Sequence, residues 1–167
     1  MPIGDGVLNA IVARFPHCRA VVLDGLRTSV TDAGIAALAS GCPQLRELGM
    51  DVASNGSIPA LTTAIEQLER LESLVVPRNA DLSGEDGAAL AAVLASKPGL
   101  QKLKIRNAKL GPHLPTILTF ARLTDLNLYG CHVGHGGAFA IADFLKTNTT
   151  LHTLEYVPMY AVIFVHN

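Results

Sequence analysis

One figure recurs along this chain and restricts its possible folds more than any other feature: an apolar residue at relative positions 1, 4 and 6. It occurs as Cys18/Val21/Leu23, Leu45/Leu48/Met50, Leu71/Leu74/Val76, Leu100/Leu103/Ile105, Leu123/Leu126/Leu128 and Leu151/Leu154/Tyr156. The first positions fall at 18, 45, 71, 100, 123 and 151, giving successive intervals of 27, 26, 29, 23 and 28. Positions 4 and 6 share a direction in an extended strand, where side chains alternate. So short a strand buries little by itself. Units of about 20–30 residues become stable when stacked side by side on a continuous core. The 167-residue chain is therefore read as one repeat array, not as a domain built round a single centre.

The segments between the strands carry helical periodicity. Apolar residues fall three and four apart in Asp32–Ser40, Ser57–Leu68, Asp86–Ser96 and Gly136–Leu145, which predicts four amphipathic helices. Thr31 is placed to cap the first, and Ser83 with Asp86 reads as a capping box for the third. Gly41–Pro43 and Lys97–Gly99 stop two of them. Residues 7–17 read as the helical part of a preceding repeat, residues 18–150 as five repeats, and residues 151–167 as a partial sixth strand with an atypical tail. That tail is apolar where a terminal repeat is usually polar. Three readings stay open for it: a folded-back cap, a contact with a second copy of the chain, or truncation.

Composition follows from this layout. Apolar residues make up 49% of the chain and charged residues only 16%. Leu fills the strand positions, while small Ala lets neighbouring helices approach. A net charge of −1 and the lack of a basic run argue against nucleic acid as a partner. Three cysteines do not make a disulfide scaffold and suit a reducing compartment. The first fifteen residues lack a basic region ahead of an apolar core, and Val157–Val165 is about half a membrane crossing. The expectation is a soluble cytoplasmic protein without a membrane partner.

With the ladder located, the chain resembles leucine-rich-repeat proteins of the long, helix-containing kind, as in ribonuclease inhibitor, over residues 7–156. The text LTDLNLYGCHVGHGGAFAIADFLKTNTT, from Leu123, is close to that repeat's consensus. SVTDAGIAALASGCPQLREL, from Ser29, resembles the cysteine-containing repeats of F-box substrate receptors, with Thr31–Asp32, Gly34 and Cys42–Pro43 before Leu45. The resemblance implies a curved α/β solenoid with a parallel inner sheet and outer helices. It also implies an Asn or Cys at position 9 tying the loop together. Asn79 and Cys131 keep that residue type, whereas Leu26, Ala53 and Ala108 do not; repeat two also has Asn55 where an aliphatic is expected.

Catalytic chemistry finds little support. Cys131, His132 and His135 have metal-ligand character, but position 9 points inward and the two histidines lie on the descending loop. Cys18 takes a core position and Cys42 a helix-to-strand corner; no base is placed for either to act as a nucleophile. Gly134–Gly137 lacks the lysine and spacing of a phosphate loop and reads as a turn into a helix. Glu85 and Asp86 suit a helix's first turn. The expectation is no enzyme, no cofactor and no metal.

The open strand face carries more information. Positions 3, 5, 7 and 8 give Ala20, Val22, Asp24, Gly25; Glu47, Gly49, Asp51, Val52; Ser73, Val75, Pro77, Arg78; Lys102, Lys104, Arg106, Asn107; Asp125, Asn127, Tyr129, Gly130; and Thr153, Glu155, Val157. Asp24, Glu47 and Asp51 form an acidic end, and Arg78, Lys102, Lys104 and Arg106 a basic middle. With Asp125 and Glu155 as partial counterions, these charges read either as a solvated face or as a bipolar docking surface. Tyr129, beside Arg106, is the expected anchor, since Tyr and Arg dominate interface hot spots. The reading is a protein-binding scaffold that uses its concave face for a partner presenting an acidic patch. The resemblance leaves two narrower functions open: substrate recognition for a ubiquitin ligase, and activation of a GTPase. A fragment of an innate-immune sensor would need a nucleotide-binding domain that the repeats do not supply. Self-association through the apolar C-terminus is a further expectation.

Overall fold

The structure, a computed structural model, describes residues 3–24, 28–51, 57–119, 122–156 and 163–166. The chain opens with β1 (Ile3–Gly4) and α1 (Asp5–Arg14), then β2 (Ala20–Asp24), β3 (Thr28–Ser29) and α2 (Asp32–Gly41). Next come β4 (Glu47–Asp51), α3 (Ile58–Gln67), β5 (Ser73–Val75), α4 (Glu85–Ala95) and β6 (Lys102–Lys104). A 3-10 turn (Gly111–His113) leads into α5 (Leu114–Ile117), β7 (Asp125–Leu128), α6 (Gly134–Thr147), β8 (Thr153–Tyr156) and β9 (Ile163–His166). β2, β4, β5, β6, β7, β8 and β9 form one sheet in that order, parallel except for β8–β9, while β1 pairs separately with β3.

The register explains why the figure at 1, 4 and 6 is so strict. Same-numbered residues stand side by side, as in Leu48, Leu74, Leu103, Leu126 and Leu154. At every step the carbonyl of position 2 accepts two amides from the next repeat. Arg19 takes those of Arg46 and Glu47 at 2.7 and 3.0 Å, and Glu72 those of Gln101 and Lys102 at 2.8 and 2.9 Å. Arg46, Gln101 and Thr124 do the same. Positions 4 and 6 of all six figures are buried, from Val21 and Leu23 to Leu154 and Tyr156. Position 1 is buried at Leu45, Leu71, Leu100 and Leu123, but only half-buried at Cys18 and Leu151.

The helices sit on the buried side of the sheet and contact one another in succession from α1 to α6. Glycines of α2 allow close approach at the first of these contacts: a Cβ on Gly34 would strike Asp5 of α1, and one on Gly41 would strike Val12. Two aspartates fasten successive helix starts. Asp5 accepts from the Thr31 amide at 2.8 Å and its hydroxyl at 2.6 Å, and Asp32 accepts from the Ser57 amide at 2.6 Å and its hydroxyl at 3.0 Å. Ser57 also caps α3 by accepting from the Ala60 amide at 3.2 Å. Thr31 stands at the cap of α2, but its hydroxyl serves Asp5 and not its own helix. At the other end of α3, Lys97 is 8% exposed and donates from Nζ to the Glu66 carbonyl at 2.9 Å. That carbonyl lies in the last turn, where a cation complements the helix dipole. Burial holds the Lys97 ammonium below its usual pKa, against the opposing pull of Glu69 and Glu66.

Several expectations need correction. The expected capping box is absent: Gly84 caps α4, and the Ser83 amide and hydroxyl donate to Asp81 at 3.2 and 2.6 Å. The helix expected over Gly136–Leu145 starts earlier and ends later, because Gly134, at φ +62°, supplies the turn directly into α6. Repeat four carries a helix where none was read, but only one turn of it, α5. Its unit, from Leu100 to Leu123, is the shortest of the five and leaves room for little helix; prolines at 112 and 115 both fall in first turns, where they are tolerated. Asn79 is not the equivalent of Cys131. The bridges Asp81–Lys109 and Lys109–His132 put Ala80 level with Ala108 and Cys131, so repeat three has one extra residue at Pro77–Arg78. Asn79 is exposed at φ +60°, level with Asn107 at +53° and Gly130 at +69°. Leu26, Ala53 and Asn55 lie outside the described residues.

In the tail, β9 returns antiparallel along β8, pairing Thr153 with His166 and Tyr156 with Ile163.

Two outcomes follow from this packing. Leu103→Ala, at a buried position of the central strand, is expected to cost about 2–5 kcal/mol, read by denaturant unfolding followed by circular dichroism. The Thr31 bonds lower the pKa of Asp5, so their stabilisation holds above about pH 4 and is lost as pH falls through the lowered value. Asp5→Asn should therefore melt below wild type at neutral pH, and the gap should close as the solution is acidified below about pH 4.

Candidate docking surface

On the sheet face away from the helices, the register sorts side chains into rows across the strands. Position 3 gives Ala20, Glu47, Ser73, Lys102, Asp125 and Thr153. Position 5 gives Val22, Gly49, Val75, Lys104, Asn127 and Glu155. A third row lies just beyond the strands. The Asn79 amide donates to the Arg106 carbonyl at 3.3 Å, and the Asn107 amide to the Tyr129 carbonyl at 2.9 Å. Arg78, Arg106 and Tyr129 thus take equivalent places, each one residue before a left-handed turn residue.

The basic middle is therefore one cluster. Lys102 and Lys104 lie on β6, with Lys102 exposed and Lys104 half-buried. Arg106 follows on the same strand line, and Arg78 is its lateral neighbour; both are half-buried. Tyr129 is 45% exposed and adjoins Arg106 in register. The expected counterions each accept from a neutral donor. Asp125 stands beside Lys102 but accepts from the Thr124 hydroxyl at 2.7 Å, and Glu155 accepts from the side-chain amide of Asn127. Among the described residues, no ion pair joins Lys102 or Lys104 to a carboxylate. Ser73, Lys102, Lys104, Asn127, Thr153 and Glu155 are among the residues lining a groove of about 320 Å³ on this face.

The acidic end is separate. Glu47 is exposed on β4, two strands from β6, and Asp24 and Asp51 pair in register at the ends of β2 and β4. Pro77 does not belong to the face as expected: it is buried. Gly25, Val52 and Val157 lie outside the described residues. An apolar patch escaped the charge-based reading. Val22 is 52% exposed, and a Cβ on Gly49 would meet its Cγ1 at 2.8 Å. Val22 therefore leans over Gly49, and Val75 flanks the glycine on the other side. Reading position 5 across the strands could have revealed this patch; reading along each strand could not.

Of the groups considered for chemistry, Cys42 and Cys131 are placed in the core. Cys131 is buried and its thiol donates to the Ile105 carbonyl at 3.1 Å, while His132 and His135 are exposed. Burial raises the pKa of Cys131, and of Cys42, whose Sγ lies 3.6 Å from the Phe15 carbonyl. A raised pKa suppresses the thiolate that a nucleophile or metal ligand needs. Among the described residues, no three His, Cys, Asp or Glu side chains are grouped to hold a metal ion. No described helix is long and apolar enough to cross a membrane.

The rows and the successive helices define a leucine-rich-repeat-like α/β solenoid. A solved structure of a Caenorhabditis elegans tropomodulin C-terminal domain is similar to it, with a TM-score of 0.53 and 13% identity, covering 85% of this chain and 91% of that one. At that identity the likeness is one of fold. No protein-family model matches the chain, and no curated protein matches it significantly in sequence.

Thiol accessibility checks the placement of the cysteines. Iodoacetamide at neutral pH should modify half-buried Cys18 first and leave Cys42 and Cys131 intact until the protein unfolds. Peptide mapping by mass reads the order, and rapid alkylation of folded Cys131 would contradict its placement.

Proposed function

We propose that the chain is a protein-binding scaffold of the cytoplasm that engages an acidic patch of its partner with the open, concave face of its sheet. The repeat text favours the ribonuclease-inhibitor-like subtype for its curvature. The observation that carries the proposal is the pair Lys102 and Lys104 on one face of β6, which no described carboxylate joins in an ion pair, with Arg106 and Arg78 further along the same face. The two ammoniums stand two residues apart on one face of β6 and repel each other, and an acidic partner relieves them. Such complementarity serves encounter rate and specificity. Tyr129 supplies large, rigid contact area next to the cations. Asp24, Glu47 and Asp51 give the far end the opposite sign, which favours one orientation of the partner.

The test is charge reversal. Lys102→Glu, Lys104→Glu and Arg106→Glu together should abolish capture of partner from lysate and leave the circular dichroism spectrum unchanged. Tyr129→Ala should weaken capture by about 2 kcal/mol. Undiminished capture by the triple variant ends the proposal.

A further inference from the structure

The chemistry of the partner segment can be taken one step further, resting on the docking reading above. The row Val22, Gly49, Val75, Lys104 changes character along its length. In that row Val22 and Val75 flank a glycine without a charge, with Glu47 exposed two residues back on β4, and the fourth strand presents an ammonium with a second, Lys102, two residues back. On the far side of β6 the row is already satisfied, because Asn127 donates to Glu155. A ligand crossing the strands therefore meets aliphatic surface first and positive charge second.

The spacing selects among ligand conformations. Neighbouring strands lie about 4.8 Å apart, so the middle of the patch, at Gly49, is two strands or about 10 Å from Lys104. An extended segment advances about 3.3 Å per residue and alternates its faces. Three residues cover the distance, but an odd interval points the second side chain away from the sheet. An α-helix advances 1.5 Å per residue and returns to the same face after seven residues, or about 10.5 Å. We infer that the occupant is an amphipathic helical segment with an aliphatic residue at i over Val22–Gly49–Val75 and a carboxylate at i+7 on Lys104, with Lys102 taking a neighbouring carboxylate. Apolar cover beside the ammoniums excludes water and strengthens the ion pairs, so the two halves of the site act together.

The probe is a phage-displayed library of random peptides of about sixteen residues, panned on the immobilised full chain. Enriched peptides should pair Leu, Ile or Val with Asp or Glu seven residues on, and should become helical when bound. Their affinity should fall at least tenfold on Lys102→Glu/Lys104→Glu, and again on Val22→Ser/Val75→Ser. It should also fall for the unaltered protein as salt rises from about 0.05 to about 0.5 M, where screening shortens the reach of exposed charges. That measurement needs no variant to fold. Acidic peptides indifferent to the valine variants would overturn the composite site, as would aliphatic peptides indifferent to salt. If panning enriches nothing while charge reversal still abolishes lysate capture, the helical occupant falls and the docking face stands.

Discussion

The rest of this structure depends on a hydrogen bond made the same way in each repeat. The carbonyl at position 2 accepts two amides from the following repeat, and the parallel ladder then runs on without stagger. A slip of one residue would turn every leucine of a strand to the open face. Because the bond recurs at Arg19, Arg46, Glu72, Gln101 and Thr124, equal positions stay level from β2 to β8. The core is thus a set of level leucine rows, and the open face is a set of level polar rows. Clustered charge at Lys102, Lys104, Arg106 and Arg78 is a property of the rows, since no short stretch of sequence contains all four.

The helical side obeys a looser rule. It has to span the distance from the end of one strand to the start of the next, and repeat length decides how much helix fits. The longer repeats accommodate α2, α3, α4 and α6, each of two turns or more, whereas the short unit between Leu100 and Leu123 holds the single turn of α5. The strands on either side of α5 keep their register all the same. Capping is equally variable: Ser57 caps its own helix, while Thr31 spends its hydroxyl on Asp5 of the previous repeat.

This contrast explains what could be read from the sequence. Side chains at the fourth and sixth places of every figure are buried as read, because apolar alternation and burial are the same physical fact in a one-sided strand. The helices of the longer repeats were legible for a similar reason. Turns were less so. The extra residue at Pro77–Arg78 leaves the apolar figure intact and shows only in the bridge from Asp81 to Lys109, so Asn79 looked like the partner of Cys131. Ser83 is not the cap because α4 starts one residue later, behind Gly84, and the Ser83 hydroxyl donates to Asp81. The cationic half of the docking surface was visible within one strand, Lys102 to Arg106. Its aliphatic half was hidden, because Val22, Gly49 and Val75 come from three repeats and meet only through register.

The antiparallel return of β9 along β8 has its own meaning for an array of this kind. A parallel ladder is open-ended: each strand offers its outer edge to one more repeat of the same polarity, whether from its own chain or another. β9 runs the other way and takes up the edge that β8 would offer. The edge left on that side is therefore that of β9, of opposite polarity, and the level parallel register of the repeats is interrupted between β8 and β9.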